Sequence, residues 1–343
     1  MNETSSLPER DLPADRHGQL REHLLREIRQ SLAQEESPSR GRRWLRPAVA
    51  IPATAGVLTL AVLAGVVLTP ESRGGGESGR PIGGDGTATY AFAPHVNADT
   101  TGGAAELLDR IATATARSAP VEDIRDDQFV YVRKRVSSMG EENGVATPVP
   151  LHDLEWWQSV DGTRPGLIRE PGGVSEEERP TGPDPAPGER GYEFSTNYRH
   201  LQTLPTDPEA MLEWLHATVV ADGMSEDSNL DQDTFVLIGD LLRDSLMPPE
   251  VGAALYRAAA RIPDVVVVPD AVNAAGVHGV AIARYDSYNP GIRDELIFDK
   301  DTLEYIGSRS VATEDGGHVR AGEVLETSAV MERAVVDEAG RRP

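Results

Sequence analysis

Chemistry near neutral pH usually rests on histidine, on a thiol, or on paired carboxylates. Cysteine is absent from the 343 residues, which removes thiol catalysis, disulfides and Cys-held zinc or iron–sulfur centres. His17 and His23 stand six apart, too far apart on a helix to share a metal ion. His95, His152, His200, His216, His278 and His318 are dispersed, and scattered histidines more often serve surfaces or satisfied cores than metals. Asp153 and Glu155 share a strand face, yet so many carboxylates are present that pairs arise by chance. Asp227, Asn229 and Asp231 have the 1,3,5 spacing of a calcium loop. Gln232 then replaces the turn glycine and Ile238 the bidentate glutamate, so capping and solvation explain the cluster of Glu226, Asp227, Asp231 and Asp233 better than a metal. HExxH, GxSxG and P-loop motifs are missing. The expectation is no catalytic residue, no metal and no cofactor, with an anchored hydrolase the least favoured reading.

Two residues hold more promise as a binding feature. Trp156 and Trp157 are adjacent, so on a strand they point to opposite faces. One belongs in the core. The other either lies under a helix or a Pro-rich loop, or lines an apolar ligand groove or protein interface.

The elements that must position these residues are separated by one apolar run. Ala48 to Thr69 contains no charged side chain. As a helix at about 1.5 Å per residue it is long enough for a hydrocarbon core of about 30 Å. Arg40, Arg42, Arg43 and Arg46 precede it, while Glu71 and Arg73 follow. The positive-inside rule therefore puts the N-terminus in the cytoplasm and the C-terminal part outside the cell membrane. A cleaved signal peptide fits less well, because the run is long and starts late. The organisation expected is a cytoplasmic segment at 1–47, a transmembrane helix at 48–69 in contact with the lipid bilayer, a flexible linker at 70–99 and an extracytoplasmic domain at 100–343.

Charge divides the same way. The whole chain has 33 Lys+Arg against 56 Asp+Glu. Residues 1–47 carry a net charge of +1 and residues 70–343 a net of −24. Such an acidic domain repels nucleic acid and anionic headgroups alike. Inside, Leu20, Leu24, Leu25, Ile28 and Leu32 recur at helical spacing with charged residues around them. Nothing else in 1–47 is periodic enough to bury that stripe. It reads as a docking face for a cytoplasmic protein partner, or as a helix that lies on the inner leaflet or self-associates.

Glu71 to Thr87 is rich in Gly, Ser and charge, as flexible linkers are. Beyond it, Ala104 to Ser118 predicts an amphipathic helix and Gln128 to Ser137 a half-buried strand, with Val130, Val132 and Val136 on one face and Tyr131, Arg133 and Arg135 on the other. Leu154–Val160 and Thr163–Glu170 read as a hairpin around Asp161-Gly162, and 171–191 as a mobile loop. A capping box of Thr206 and Glu209 opens a helical block with further helices at 231–246 and 249–262. Strands return at 265–269, 277–286, 295–299, 303–311 and 324–336. Strands, helices, then strands joined by short turns indicate an α+β fold with packed helices on a curved, half-barrel-like antiparallel sheet.

The runs Leu12-Pro13-Ala14-Asp15-Arg16-His17 and Leu20 to Ile28, with Gln128-Phe129-Val130-Tyr131, Glu155-Trp156-Trp157, Leu204 to Pro208, Leu255 to Ala259 and Leu296 to Asp299, resemble a family of actinobacterial single-pass membrane proteins of unknown function. The resemblance implies an anti-sigma-like layout and an outer domain similar to the half-barrel of lipoprotein carriers and envelope-stress sensors. The His-and-two-Cys zinc motif of many anti-sigma domains is missing here, which argues against a sigma factor as the inner partner. The function expected is a non-enzymatic envelope sensor or regulator. A membrane-anchored domain that binds or carries lipid or another apolar ligand is the alternative.

Overall fold

The computed structural model describes residue 99 and residues 102–142, 145–173, 177–221, 228–316 and 319–343. The cytoplasmic stripe from Leu20 to Leu32, the span at 48–69, the linker up to residue 98, and His95, Glu226, Asp227 and His318 lie outside the described residues. Among those described, no helix is long and apolar enough to cross a membrane.

Apolar residues at alternating positions build a ten-stranded, wholly antiparallel sheet. The strands are β1 (Phe129–Glu142), β2 (Val145–Pro148), β3 (His152–Ser159), β4 (Leu167–Arg169), β5 (Glu178–Pro180), β6 (Val266–Val272), β7 (His278–Tyr285), β8 (Ile292–Phe298), β9 (Tyr305–Ala312) and β10 (Val324–Val336). Their order is β5-β4-β3-β1-β10-β9-β8-β7-β6, with β2 paired to the far end of β1. The sheet is open, with β5 and β6 at its edges. The domain is therefore α+β, as the patterning indicates.

One face of the sheet carries the helices α1 (Ala104–Ala116), α2 (Tyr198–Leu201), α3 (Pro208–Ala221), α4 (Leu230–Arg243) and α5 (Pro249–Ala259). Each buries an apolar stripe in one core: Leu108 and Ile111 from α1, Met211 and Leu215 from α3, Phe235, Ile238 and Leu241 from α4, and Leu255 from α5. These pack on Val267, Ile282, Leu296 and Phe298 of the sheet. Removing one such leucine side chain costs about 2–5 kcal/mol. Pro249 starts α5 at a position where its missing N–H is no loss. Gly252 lets that helix approach α1 closely, since a Cβ there would stand 3.1 Å from the Thr115 methyl.

Several expectations need correction. β1 is not half-buried over its first half. Val130 and Val132 face the helices, but Phe129 and Tyr131 on the other side are buried as well. The cause is the C-terminal tail, whose Arg341 carbonyl accepts a 2.5 Å bond from Trp157 Nε1 and whose Arg342 pairs with Glu155. The β3–β4 connection is no tight two-residue turn, because its pairing stops at Trp157↔Leu167. Asp161 draws the loop outward by accepting from Ser159 Oγ, Thr163 N and Thr163 Oγ1, while Gly162 takes φ +74°. Part of the 171–191 stretch is ordered as β5. The cap of α3 is Asp207, not Thr206: its carboxylate accepts from the backbone N–H groups of Glu209 and Ala210, each at 3.0 Å. The acid reaches the free N–H groups of the first turn and adds a charge that favours the helix N-terminus.

Candidate functional site, an aromatic cleft around a buried histidine

The chain between β5 and α3 builds a cleft of about 600 Å³, within the usual range of small-molecule sites, about 300–1,000 Å³. Its rim begins at Gly188 and Gly191, whose positive φ angles of 87° and 94° turn the chain into a short 3-10 helix, Tyr192–Phe194. Tyr192 forms one wall, and Leu204, before α3, and Trp214, within it, form others. His200, from the single turn of α2, stands among them. Its ring lies edge-on to Tyr192 with centroids 4.5 Å apart, and 6.4 Å from Trp214.

The placement of His200 is over-determined. Leu201 anchors the α2 turn in the core. Asn197 Oδ1 accepts from the His200 backbone N–H at 2.8 Å, and Asn197 Nδ2 donates to Asp184 at 2.7 Å. Burial pushes the Asp184 carboxyl above its ordinary range, while bonds from Asn197 and Gln158 oppose the shift.

The imidazole itself is less well provided for. His200 is 4% exposed, and neither Nδ1 nor Nε2 has a hydrogen-bond partner. Burial holds its pKa below the ordinary histidine value, opposed by the nearby Glu193 backbone and by the Glu193 charge. The ring is therefore neutral at pH 7, with one nitrogen able to donate and the other to accept. Two buried orphan nitrogens cost stability, and such groups need a reason. Thr203 Oγ1 is committed to the His200 carbonyl at 2.7 Å, and no carboxylate is bonded to the ring to orient it as a catalytic base. The cleft thus sets the aromatic rings of Tyr192 and Trp214 beside the charged residues Glu189, Arg190 and Glu193, with the imidazole of His200 among them.

Trp156 and Trp157 fall on opposite faces of β3. Trp157 is fully buried on the face away from the helices, its ring 5.1 Å from Tyr131 and beneath Arg169. Trp156 is half-buried on the helix side, with Lys134 Nζ 5.8 Å from its ring centre and Nε1 buried without a partner. Lys134 is paired in turn with Asp244. Neither tryptophan lines the cleft.

The carboxylates noticed in the sequence are spoken for. Asp153 pairs with Arg135 at 3.0 Å. Glu155 accepts from Tyr131 Oη at 2.6 Å and from two nitrogens of Arg342 at 2.6 and 2.7 Å. Burial raises the Glu155 pKa, but Arg342, Tyr131 and Arg169 together outweigh it and the carboxyl titrates below its usual range. Asn229 caps α4 by accepting from Gln232 N at 3.0 Å. Asp233 accepts from Tyr288 Oη at 2.8 Å. Among the described residues, no three His, Asp or Glu side chains gather to hold a metal. The cleft was invisible to motif reasoning because a loop, a one-turn helix and a longer helix each supply one wall. The only local signal is the closeness of His200, Leu204 and Trp214 in sequence.

No protein-family model matches the chain, and no curated protein matches it. Among solved structures, the complex of Pseudomonas aeruginosa MucA/MucB is similar at 14% identity and a TM-score of 0.24, with 70% of this chain and 58% of that chain covered. A likeness this distant carries neither fold nor function across.

Proposed function

We propose that this protein is a non-enzymatic, single-pass membrane sensor. In this reading the C-terminal domain lies outside the cell and binds a small ligand in the His200 cleft. Leu20, Leu24, Leu25, Ile28 and Leu32 contact a protein partner inside. The observation that carries the reading is the buried, unpartnered imidazole in an aromatic-walled cleft. A ligand that satisfies both nitrogens removes their desolvation cost on binding, so affinity is concentrated where the free protein is least content. Support for the topology comes from the uncharged run Ala48–Thr69 and the arginines before it.

Native mass spectrometry of the full chain, released from mild detergent, tests the outer half. A co-purifying mass that is present in wild type and lost in both His200→Phe and Trp214→Ala is the expected result. Equal occupancy in all three, or an empty domain throughout, refutes the cleft. For the inner half, peptides of residues 1–47 with and without Leu24→Asp/Ile28→Asp are compared as baits, and equal recovery of partners removes the docking face. An anchored carrier of lipid or another apolar ligand is the second reading, favoured by the Tyr192, Leu204 and Trp214 walls. Its signature is a lipid mass in the same spectrum.

A further inference from the structure

If the His200 cleft is a binding site, as proposed above, its walls also name the class of ligand it takes. Two kinds of side chain meet there: the rings of Tyr192 and Trp214, and the charged groups of Glu189, Arg190 and Glu193. Both rings are half-buried, so each keeps part of its surface exposed.

Aromatic rings attract cations through their quadrupole, indole most strongly, and this chain uses that attraction repeatedly. Lys134 Nζ stands 5.8 Å from the centre of the Trp156 ring, and the guanidinium carbon of Arg169 stands 4.9 Å from that of Trp157. Arg164 is placed 4.8 Å from Phe129 in the same way. Trp214 differs from the other described tryptophans: among the described residues no cation lies over its ring, and none lies over Tyr192. Arg190 lines the cleft yet covers neither ring. The ring that both of them meet belongs to His200, which is neutral at pH 7.

Charge points the same way. Glu189 and Glu193 against Arg190 leave the lining with one negative charge in excess. The net of −24 over residues 70–343 draws cations toward the domain and repels anions, so a carboxylate or phosphate ligand meets repulsion at the mouth. Glu189 is held in place, its Oε2 accepting from the Ala186 N–H at 2.9 Å. The inner wall offers few hydrogen bonds. His200 is 4% exposed with both ring nitrogens buried and unpartnered, and Thr203 Oγ1 is given to the His200 carbonyl. A primary ammonium or a guanidinium needs several acceptors to replace its water. A fully alkylated ammonium has no N–H and needs none.

We propose that the cleft takes a quaternary ammonium group, its alkylated nitrogen held against the rings of Trp214 and Tyr192 and its charge met by Glu193 and Glu189. A free trimethylammonium compound and the headgroup of a choline lipid present the same chemistry.

Isothermal titration of the full chain in a maltoside detergent compares choline with the neutral alcohol in which a tert-butyl group replaces the trimethylammonium. The two have one shape and differ in charge. Choline is expected to bind about tenfold tighter or more, the discrimination that one desolvated ammonium–indole contact supplies. Glu193→Gln is expected to weaken choline about fivefold and leave the alcohol unchanged, and Trp214→Leu to weaken choline at least as much. Tighter binding of monomeric short-chain phosphatidylcholine than of choline, with phosphatidylglycerol of equal chain length unbound, assigns the ion to a lipid headgroup. Tighter choline assigns it to a free compound. Equal affinity for choline and the alcohol overturns the inference and leaves the cleft a binding site of another specificity. Choline binding unchanged in both variants overturns it as well, by placing the ion elsewhere. If no probe binds, the inference falls, and the cleft falls with it only where native mass spectrometry also finds the domain empty. Should Trp214→Leu fail to fold, the comparison of choline with the alcohol on the unaltered chain still decides.

Discussion

Replacing His200 by phenylalanine separates binding from stability. The His200 imidazole buries two nitrogens with no partner, and each such group costs about 1–3 kcal/mol. Phenylalanine keeps a planar ring against Tyr192 and Trp214 and removes both nitrogens. The open cleft of about 600 Å³ relieves the overpacking that a larger ring would cause in a closed core. His200→Phe is therefore expected to stabilise the domain at pH 8 by about 1–2 kcal/mol, raising the melting temperature by about 2–8 °C at the sensitivity of a domain of 150–250 residues. The pH dependence sharpens the claim. Burial lowers the His200 pKa in the folded state, so below the unfolded value of about 6.5 the unfolded chain binds a proton that the folded chain refuses. Wild-type stability from this group is intact above that pH and is lost as pH falls toward the depressed folded value, by at most about 1.4 kcal/mol per pH unit. The variant lacks this loss, so its advantage must widen between pH 8 and pH 5.5. Urea unfolding of the full chain in detergent, followed by tryptophan fluorescence, measures the difference at both pH values. A variant less stable than wild type by 1 kcal/mol or more at pH 8 refutes the reasoning, as does an advantage that does not widen in acid.

Three further outcomes follow from named contacts. His152 behaves oppositely to His200: its bond to Glu170 at 2.9 Å outweighs burial and raises its pKa. Its contribution is full below about pH 6.5 and disappears as pH rises through the raised folded value, so His152→Gln should destabilise at pH 5.5 and far less at pH 9 in chemical melts. Asp207→Ala is expected to cost about 1 kcal/mol through loss of the α3 cap, and Thr206→Ala close to nothing; equal costs contradict the assignment. Gly307→Ala drives a Cβ into the Ser328 carbonyl of β10 at φ +148°, and a loss of about 2–4 kcal/mol in thermal unfolding is expected from overpacking and backbone strain.

Most strands and helices were legible because their apolar residues keep period 2 or 3.6. β10 appears over Val324–Val336, as its alternation indicates. Where the reading failed, a distant segment had intervened. Nothing near Tyr131 announces that Arg341 and Arg342 will return to cover it, and nothing near Glu178 that β4 offers a free edge. Thr206 and Asp207 are neighbours with similar capping preference, and the choice between them depends on how Pro205 and Pro208 steer the backbone. The cleft was hidden for a related reason. His200 has no ligand-like spacing, and its significance lies in what it fails to bond.

The pairing of β1 with β10 in mid-sheet has a consequence for biosynthesis. Gln128 and Asp337, which share a hydrogen bond, are 209 residues apart in sequence. As the chain emerges, β1 to β5 form one ribbon and β6 to β9 another, and neither has its inner edge filled until the last strand arrives. Loop closure on this scale is slow, and an exposed ribbon edge invites association with other chains. A stop codon just before Val324 would leave two unjoined halves, so nascent copies of this protein carry two unfilled ribbon edges until the final thirteen-residue strand is delivered.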